Sequence, residues 1–201
     1  MDYIEDLETL LEIYPDAPVK ASIDKVTPRI TPCYRRWIEA SRFCVLSTVG
    51  PDGTDASPRG DDGPVVALLD EQTLALPDWR GNNRLDSLRN IVDDGRVSLM
   101  FFVPGSGNVV RVNGQARLTN DNDLRARFER AGRLPKTVAV VVATEIYFQC
   151  AKAIIRSKMW SGIDESGAVP TAGEFIKEFN AGFDAAGYDS GYLDYAKPRM
   201  W

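Results

Sequence analysis

The hydrophobic period of the chain changes several times. Ile4, Leu7, Leu11 and Tyr14 fall at helical spacing, and Pro15 stops that segment. Thr31-Pro32 reads as a cap followed by proline in the first turn, which predicts a helix through Ser41. From Phe43 to Val49 the residues are β-formers, and Pro51-Asp52-Gly53 turns the chain into a second strand. Further strands are expected over 65–70 and 73–76, on either side of Glu71-Gln72. Two more run from Arg96 to Val103 and from Asn108 to Thr119, separated by Pro104-Gly105-Ser106-Gly107. The run Thr137 to Phe148 is the longest and the richest in valine.

Five or six strands joined by tight turns predict a mainly β protein, a small antiparallel barrel with peripheral helices. Leu85, Leu88 and Val92 share one helical face, with Asn82-Asn83 as the expected cap and Gly95 as the stop. Asp121 is expected to cap a further helix carrying Leu124 and Phe128. Phe175, Phe179 and Phe183 form an i, i+4, i+8 stripe, read as packing against the core or a partner subunit and not as a cofactor box. Residues 188–201 are rich in Gly and Tyr and show no clear period. With no repeat or linker in view, residues 1–201 read as a single domain. Its parts are N-terminal helices (about 1–41), a barrel (about 43–150) and a C-terminal helical segment and tail (about 151–201).

Composition narrows the chemistry. A net charge of −5 argues against a broad nucleic-acid footprint. No run approaches the roughly 18 apolar residues of a membrane helix. The acidic start, Met1-Asp2-Tyr3-Ile4-Glu5-Asp6, has neither part of a signal peptide. Cys33, Cys44 and Cys150 are odd in number and far apart, so neither a disulfide framework nor a zinc ribbon is expected. The expectation is a reduced, cytoplasmic protein without membrane or nucleic-acid partners. The chain has no histidine. That removes Ser-His-Asp and Cys-His catalysis and most haem and zinc sites in one step. A bound cofactor is the economical source of reactivity.

Three polar clusters stand out. Pro77-Asp78-Trp79-Arg80-Gly81-Asn82-Asn83-Arg84 lies between a strand and a helix start, where unpaired N–H groups favour an anion. Arg80 and Arg84 could add bidentate contacts to a phosphate; an ordinary solvated, capped loop is the other reading. Ser57-Pro58-Arg59-Gly60-Asp61-Asp62-Gly63 demands an irregular strand. There Arg59 faces either an anion or a surface aspartate, and two adjacent acids with no third ligand argue against a metal. In the third cluster, Cys150 to Trp160, Lys152 and Arg156 are four apart and share a helical face, with Trp160 available for stacking. A basic surface turn is the alternative. Cys150 reads as a packed thiol, since no His is available to activate it.

These clusters, in this order, resemble the pyridoxamine 5′-phosphate oxidase-related FMN-binding proteins, in a bacterial subgroup distinct from the authentic pyridoxamine-phosphate oxidases. The matching stretches are Ser57 to Asp61, Leu76 to Leu88, Arg111-Val112-Asn113-Gly114, and Cys150-Ala151-Lys152-Ala153 through Arg156-Ser157 to Trp160. The resemblance implies a six-stranded antiparallel split β-barrel, a homodimer, and FMN in a groove between subunits. It implies a phosphate grip by Arg80, Asn82, Asn83 and Arg84, beside Asp78. The irregular strand Ser57, Pro58, Arg59 and Gly60 is then expected along the ribityl chain and ring. Lys152, Arg156, Ser157 and Trp160 are expected to reach the partner's flavin. The chain ends Tyr195-Ala196-Lys197-Pro198-Arg199-Met200-Trp201, without the Trp- and Arg/His-containing signature of the authentic oxidases, which speaks against vitamin B6 oxidation.

The function expected from this resemblance is an FMN-dependent oxidoreductase acting on a small molecule. No catalytic residue is legible and no metal is expected. The alternatives are a flavin-binding protein for storage or sensing without turnover, and a deazaflavin-dependent reductase on the same fold.

Overall fold

Tight turns set the order of the sheet. In the computed structural model, which describes residues 1–201, Pro51-Asp52 joins β1 (Phe43–Gly50) to β2 (Gly53–Gly60). Their antiparallel register runs from Phe43 opposite Gly60 to Gly50 opposite Gly53. The strands β3 (Ala67–Leu68) and β4 (Thr73–Asp78) form a second hairpin. They are followed by β5 (Arg96–Phe102), β6 (Val109–Thr119) and β7 (Thr137–Gln149). All pairings are antiparallel, in the order β2-β1-β5-β6-β7-β4-β3.

The mainly β architecture with flanking helices is as expected, but the six-stranded barrel needs correction. The sheet has seven strands, the extra one being the two-residue β3, and main-chain pairing does not close it. Its ends curl towards each other, and the gap between β2 and β4 is crossed by side chains: Arg59 Nη1 lies 2.7 Å from Asp78 Oδ1. Pro58 in β2 and Pro77 in β4 have no N–H to donate to a ladder across that gap.

The core fills the inside of the curl. Burial alternates with period two along β1, β5 and β6, as one buried face requires. Leu46, Leu99, Phe101, Val112, Val141 and Ile146 are among the residues that meet there. Two helices close its ends, α3 (Pro32–Ala40) through Ile38 and α4 (Asp86–Asp93) through Ile91. The strand β6 is irregular between Asn113 and Gly114. A Cβ on Gly114 would sit 2.2 Å from the Val142 carbonyl oxygen, so the glycine permits this close approach of β6 to β7.

The remaining helices are peripheral: α1 (Leu7–Ile13), α2 (Lys20–Asp24), α5 (Asn122–Ala126), α6 (Lys152–Ser157), α7 (Ala172–Phe179) and α8 (Ala185–Ala196). Asp6 caps α1 and Asp121 caps α5, the latter as expected. Three expectations fail here. Neither Asn82 nor Asn83 caps α4; the cap position is Leu85 at φ 64°, and no side chain caps the helix. The phenylalanine stripe is broken, because α7 ends before Asn180. Phe175 and Phe179 are exposed, and Phe183 packs on Tyr188. Residues 185–196 are helical although no period was read there. Tyr188, Tyr192 and Tyr195 do keep helical spacing, but Gly187 and Gly191, poor helix formers, obscure it. No helix is long and apolar enough to cross a membrane.

Candidate functional site

The gap between β2 and β4 opens into a cavity of about 950 Å³. Its first wall is the inner face of β2. Ser57 pairs with Leu46 and Arg59 with Cys44, both buried, so these two side chains look inward with them. The second wall is the end of β4 with residues 79–85 and the first turn of α4. The first residue of β7, Thr137, and Lys136 before it add to the lining, and the C-terminal segment adds Tyr192 and Met200.

Local geometry fixes the loop 79–85. Trp79 Nε1 donates to Asp61 Oδ2 at 3.2 Å, and the Arg130 guanidinium lies 3.5 Å from Asp61 Oδ1. The Asp61 carboxylate is therefore used to hold the indole in place. Asn83 (φ 61°) and Leu85 (φ 64°) both adopt left-handed backbone, which costs a non-glycine residue of order 1 kcal/mol. Asn82 Oδ1 accepts from the Arg84 N–H at 3.1 Å. The chain thus turns sharply into α4, whose uncapped N-terminal turn borders the cavity. Ser87 Oγ donates to Asp55 Oδ2, tying that helix to β2.

The charges in this wall are mostly paired. Arg59 and Asp78, whose side chains are only 19% and 18% exposed, form the ion pair across the gap. Arg84 Nε donates to Asp86 Oδ2 at 2.8 Å on the exposed rim. Arg80 and Lys136 have no acidic partner. Two further polar atoms in the lining residues, Arg59 Nε and Thr137 Oγ1, are buried without a hydrogen-bond partner. Cys44, behind Arg59, has its thiol pushed up to about 12 by burial, with the nearby Arg59 charge acting weakly the other way. It stays a neutral packing group.

The structure brings nine of the sequence-derived site residues to this cavity: Ser57, Pro58, Arg59, Gly60, Asp78, Arg80, Asn82, Asn83 and Arg84. The other four, Lys152, Arg156, Ser157 and Trp160, do not line it. They belong to α6 and the turn after it, where Trp160 Nε1 donates to the Ser106 carbonyl at 2.7 Å. Sequence reasoning missed Lys136, Thr137, Tyr192 and Met200 as lining residues. Thr137 opens β7 opposite Asp78 of β4, with Lys136 just before it; only that pairing brings them to the site.

A family model described as pyridoxamine 5′-phosphate oxidase matches residues 30–150, more than half of the chain and every strand of the sheet. The chain belongs to the pyridoxamine 5′-phosphate oxidase family. Similar solved structures include a variant of HupZ from Group A Streptococcus, at 19% identity over 60% of this chain and 99% of that one, with a TM-score of 0.49. General Stress Protein 26 from Bacillus anthracis is 18% identical over 57% of this chain and 88% of that one, TM-score 0.43. An FMN-binding protein from Syntrophomonas wolfei is 14% identical over 71% and 95%, TM-score 0.44. No curated protein matches the sequence. Within the family match fall the first two clusters and the Arg-Val-Asn-Gly stretch; α6, α7 and α8 lie beyond it.

Proposed function

We propose that this chain binds FMN in the cavity between β2 and β4 and acts as an FMN-dependent oxidoreductase on a small molecule. The observation that carries the reading is the pair of unpartnered cations, Arg80 and Lys136, in a cavity that also takes the uncapped start of α4. Cations and a free helix N-terminus are the two features that hold a phosphate. Leu76, Val65 and Trp79 supply apolar surface for a ring system. The volume lies within the roughly 300–1,000 Å³ of ordinary ligand pockets. The unpartnered Arg59 Nε and Thr137 Oγ1 fit a ligand that brings its own polar atoms.

Bound FMN would supply hydride and electron transfer, and the protein would supply binding and orientation. Arg80, Lys136 and the α4 N-terminus would hold the phosphate. Ser57 and Arg59 would lie along the chain leading to the ring. Tyr192 and Met200, at the edge, would narrow access from solvent. The reading includes a homodimer, in which Lys152, Arg156, Ser157 and Trp160, absent from the lining of this cavity, would meet the flavin of a second copy.

One observation favours flavin binding without turnover. The carboxylates of the cavity are all engaged, Asp78 with Arg59, Asp86 with Arg84 and Asp55 with Ser87, and there is no histidine to move a proton. The test is an absorbance spectrum of the purified protein with mass spectrometry of what heat releases. FMN bands and mass are expected; a deazaflavin mass would change the cofactor and keep the site. Arg80→Ala is expected to weaken FMN binding by about 1.5–3 kcal/mol, the size of a charge-assisted contact. Protein that carries no flavin and takes none up overturns the reading. NAD(P)H oxidation well above that of free FMN separates the oxidoreductase from the storage protein.

A further inference from the structure

Residues 162–201 are tied to the body of the protein at one place. Gly173 is the only buried residue among them, and α8 packs on α7 and on the turn Lys197–Arg199 that follows it. No ion pair joins this segment to the rest of the chain. Beyond the adjoining Ser161, its hydrogen bonds reach outside only at Arg133. There Nη1 donates to the carbonyl oxygens of Pro198 at 2.6 Å and Trp201 at 2.8 Å. Met200, between those two acceptors in sequence, and Tyr192 of α8 line the cavity.

A tight turn presents Arg133. Arg130 and Arg133 exchange both backbone hydrogen bonds, at 3.0 and 2.9 Å. Ala131 (φ 50°) and Gly132 (φ 75°) between them are both left-handed, as a two-residue hairpin turn requires. At the other corner of the turn, Arg130 lies 3.5 Å from the Asp61 carboxylate, whose side chain is 3% exposed and which accepts from Trp79 Nε1. The turn therefore reaches both sides of the cavity, Trp79 through a buried carboxylate and Met200 through exposed main-chain carbonyls. Bonds to exposed carbonyls exchange with water more readily than a contact to a buried acid, so the C-terminal side is the one that lets go. We infer that Arg133 is a positioning residue for the cavity: it holds Tyr192 and Met200 at the opening, and its release uncovers the site for ligand entry and exit. Only the ligand's identity as FMN rests on the function proposed above.

The test places a thiol inside the cavity with Ser57→Cys and combines it with Arg133→Ala or Arg133→Lys in the full chain. In flavin-free protein, N-ethylmaleimide labelling at position 57 is separated from that of Cys33 and Cys150 by peptide mapping. It is expected to run roughly fivefold faster with Arg133→Ala than with Arg133 in place, the size of an exposed charged contact. Amide exchange over residues 185–201 is expected to rise with it, while exchange in β5 and the urea midpoint stay unchanged. Arg133→Lys keeps a cationic donor and is expected to recover most of the difference. With Ser57 intact and FMN loaded, Arg133→Ala is expected to speed flavin dissociation by a similar factor. Equal labelling rates overturn the inference, as does an unchanged FMN dissociation rate. Faster labelling with a lowered urea midpoint also overturns it, because Arg133 would then support the fold at large. If no FMN binds while the labelling contrast holds, the flavin reading falls and the role of Arg133 stands.

Discussion

The sheet and the peripheral helices are held by different means. Between Phe43 and Gln149 the inner faces of the long strands meet in one core, and residues such as Leu99, Phe101 and Val112 are fully buried. In the helices after the sheet the only buried residue is Gly173, against which α8 packs closely. There Asp189 organises the α7–α8 pair by accepting from Thr171 Oγ1 and the Gly173 N–H. The C-terminal end is tied back by Arg133 Nη1, which donates to the carbonyls of Pro198 and Trp201. Burial of apolar area dominates the first region, and exposed hydrogen bonds dominate the second. The cavity takes most of its lining from the first region and the loop after β4, and only Tyr192 and Met200 from the second.

The sharpest way to expose that difference is to truncate one leucine on each side. Leu99→Ala in β5 is expected to cost about 2–5 kcal/mol, because a fully buried side chain leaves a cavity behind. Leu193→Ala in α8, mostly exposed, is expected to stay within about 0.5 kcal/mol. Urea unfolding of both variants measures the contrast, and equal losses would break it. The next largest effect tests the join of the sheet's two ends. Arg59→Ala removes a largely buried charge-assisted bond and leaves Asp78 alone, with an expected loss of about 1.5–3 kcal/mol in the same assay. An unchanged midpoint would mean that the ends are held by something other than this pair.

A smaller effect should follow pH. The hydrogen bonds from Arg96 hold the Asp94 carboxyl down, from the usual 3.8 to about 2. A depressed carboxylate contributes stability above its unfolded pKa and loses it as pH falls through the folded one. Wild type and Asp94→Asn are therefore expected to differ slightly in melting temperature at pH 6 and to converge towards pH 2. A gap that widens on acidification would refute the sign. The least perturbing comparison is thiol labelling of the native protein at pH 8. Exposed Cys33 and Cys150 are expected to react while Cys44, buried and with its thiol held at about 12, stays unlabelled until the sheet unfolds.

How well each part could be read follows the same division. The strands were legible because one buried face imprints a period of two, and turns such as Pro51-Asp52-Gly53 mark their ends. Peripheral α8 was missed because packing against the sheet imposes no apolar stripe on it, and its glycines speak against helix. In the site, the stretch from Pro77 to Arg84 was legible as a candidate anion loop because its glycine, asparagines and arginines are all local. The cap was misplaced because left-handed Asn83 and Leu85 delay the helix to Asp86, and a leucine gives no sign of that conformation. Lys136 and Tyr192 gave no local signal at all.

By itself the sequence determined the mainly β class, the strand hairpins and the ordered set of polar clusters, since these depend on local propensity and period. Its lack of histidine also determined which chemistries are unavailable. Only the tertiary structure decided that the sheet stays open, that Arg59 meets Asp78 across it, and that residues 57–60, 78–84, 136–137, 192 and 200 share one cavity. Those facts depend on how a twisted sheet curls and on which distant residues it brings together, and no window of neighbouring residues encodes that curl.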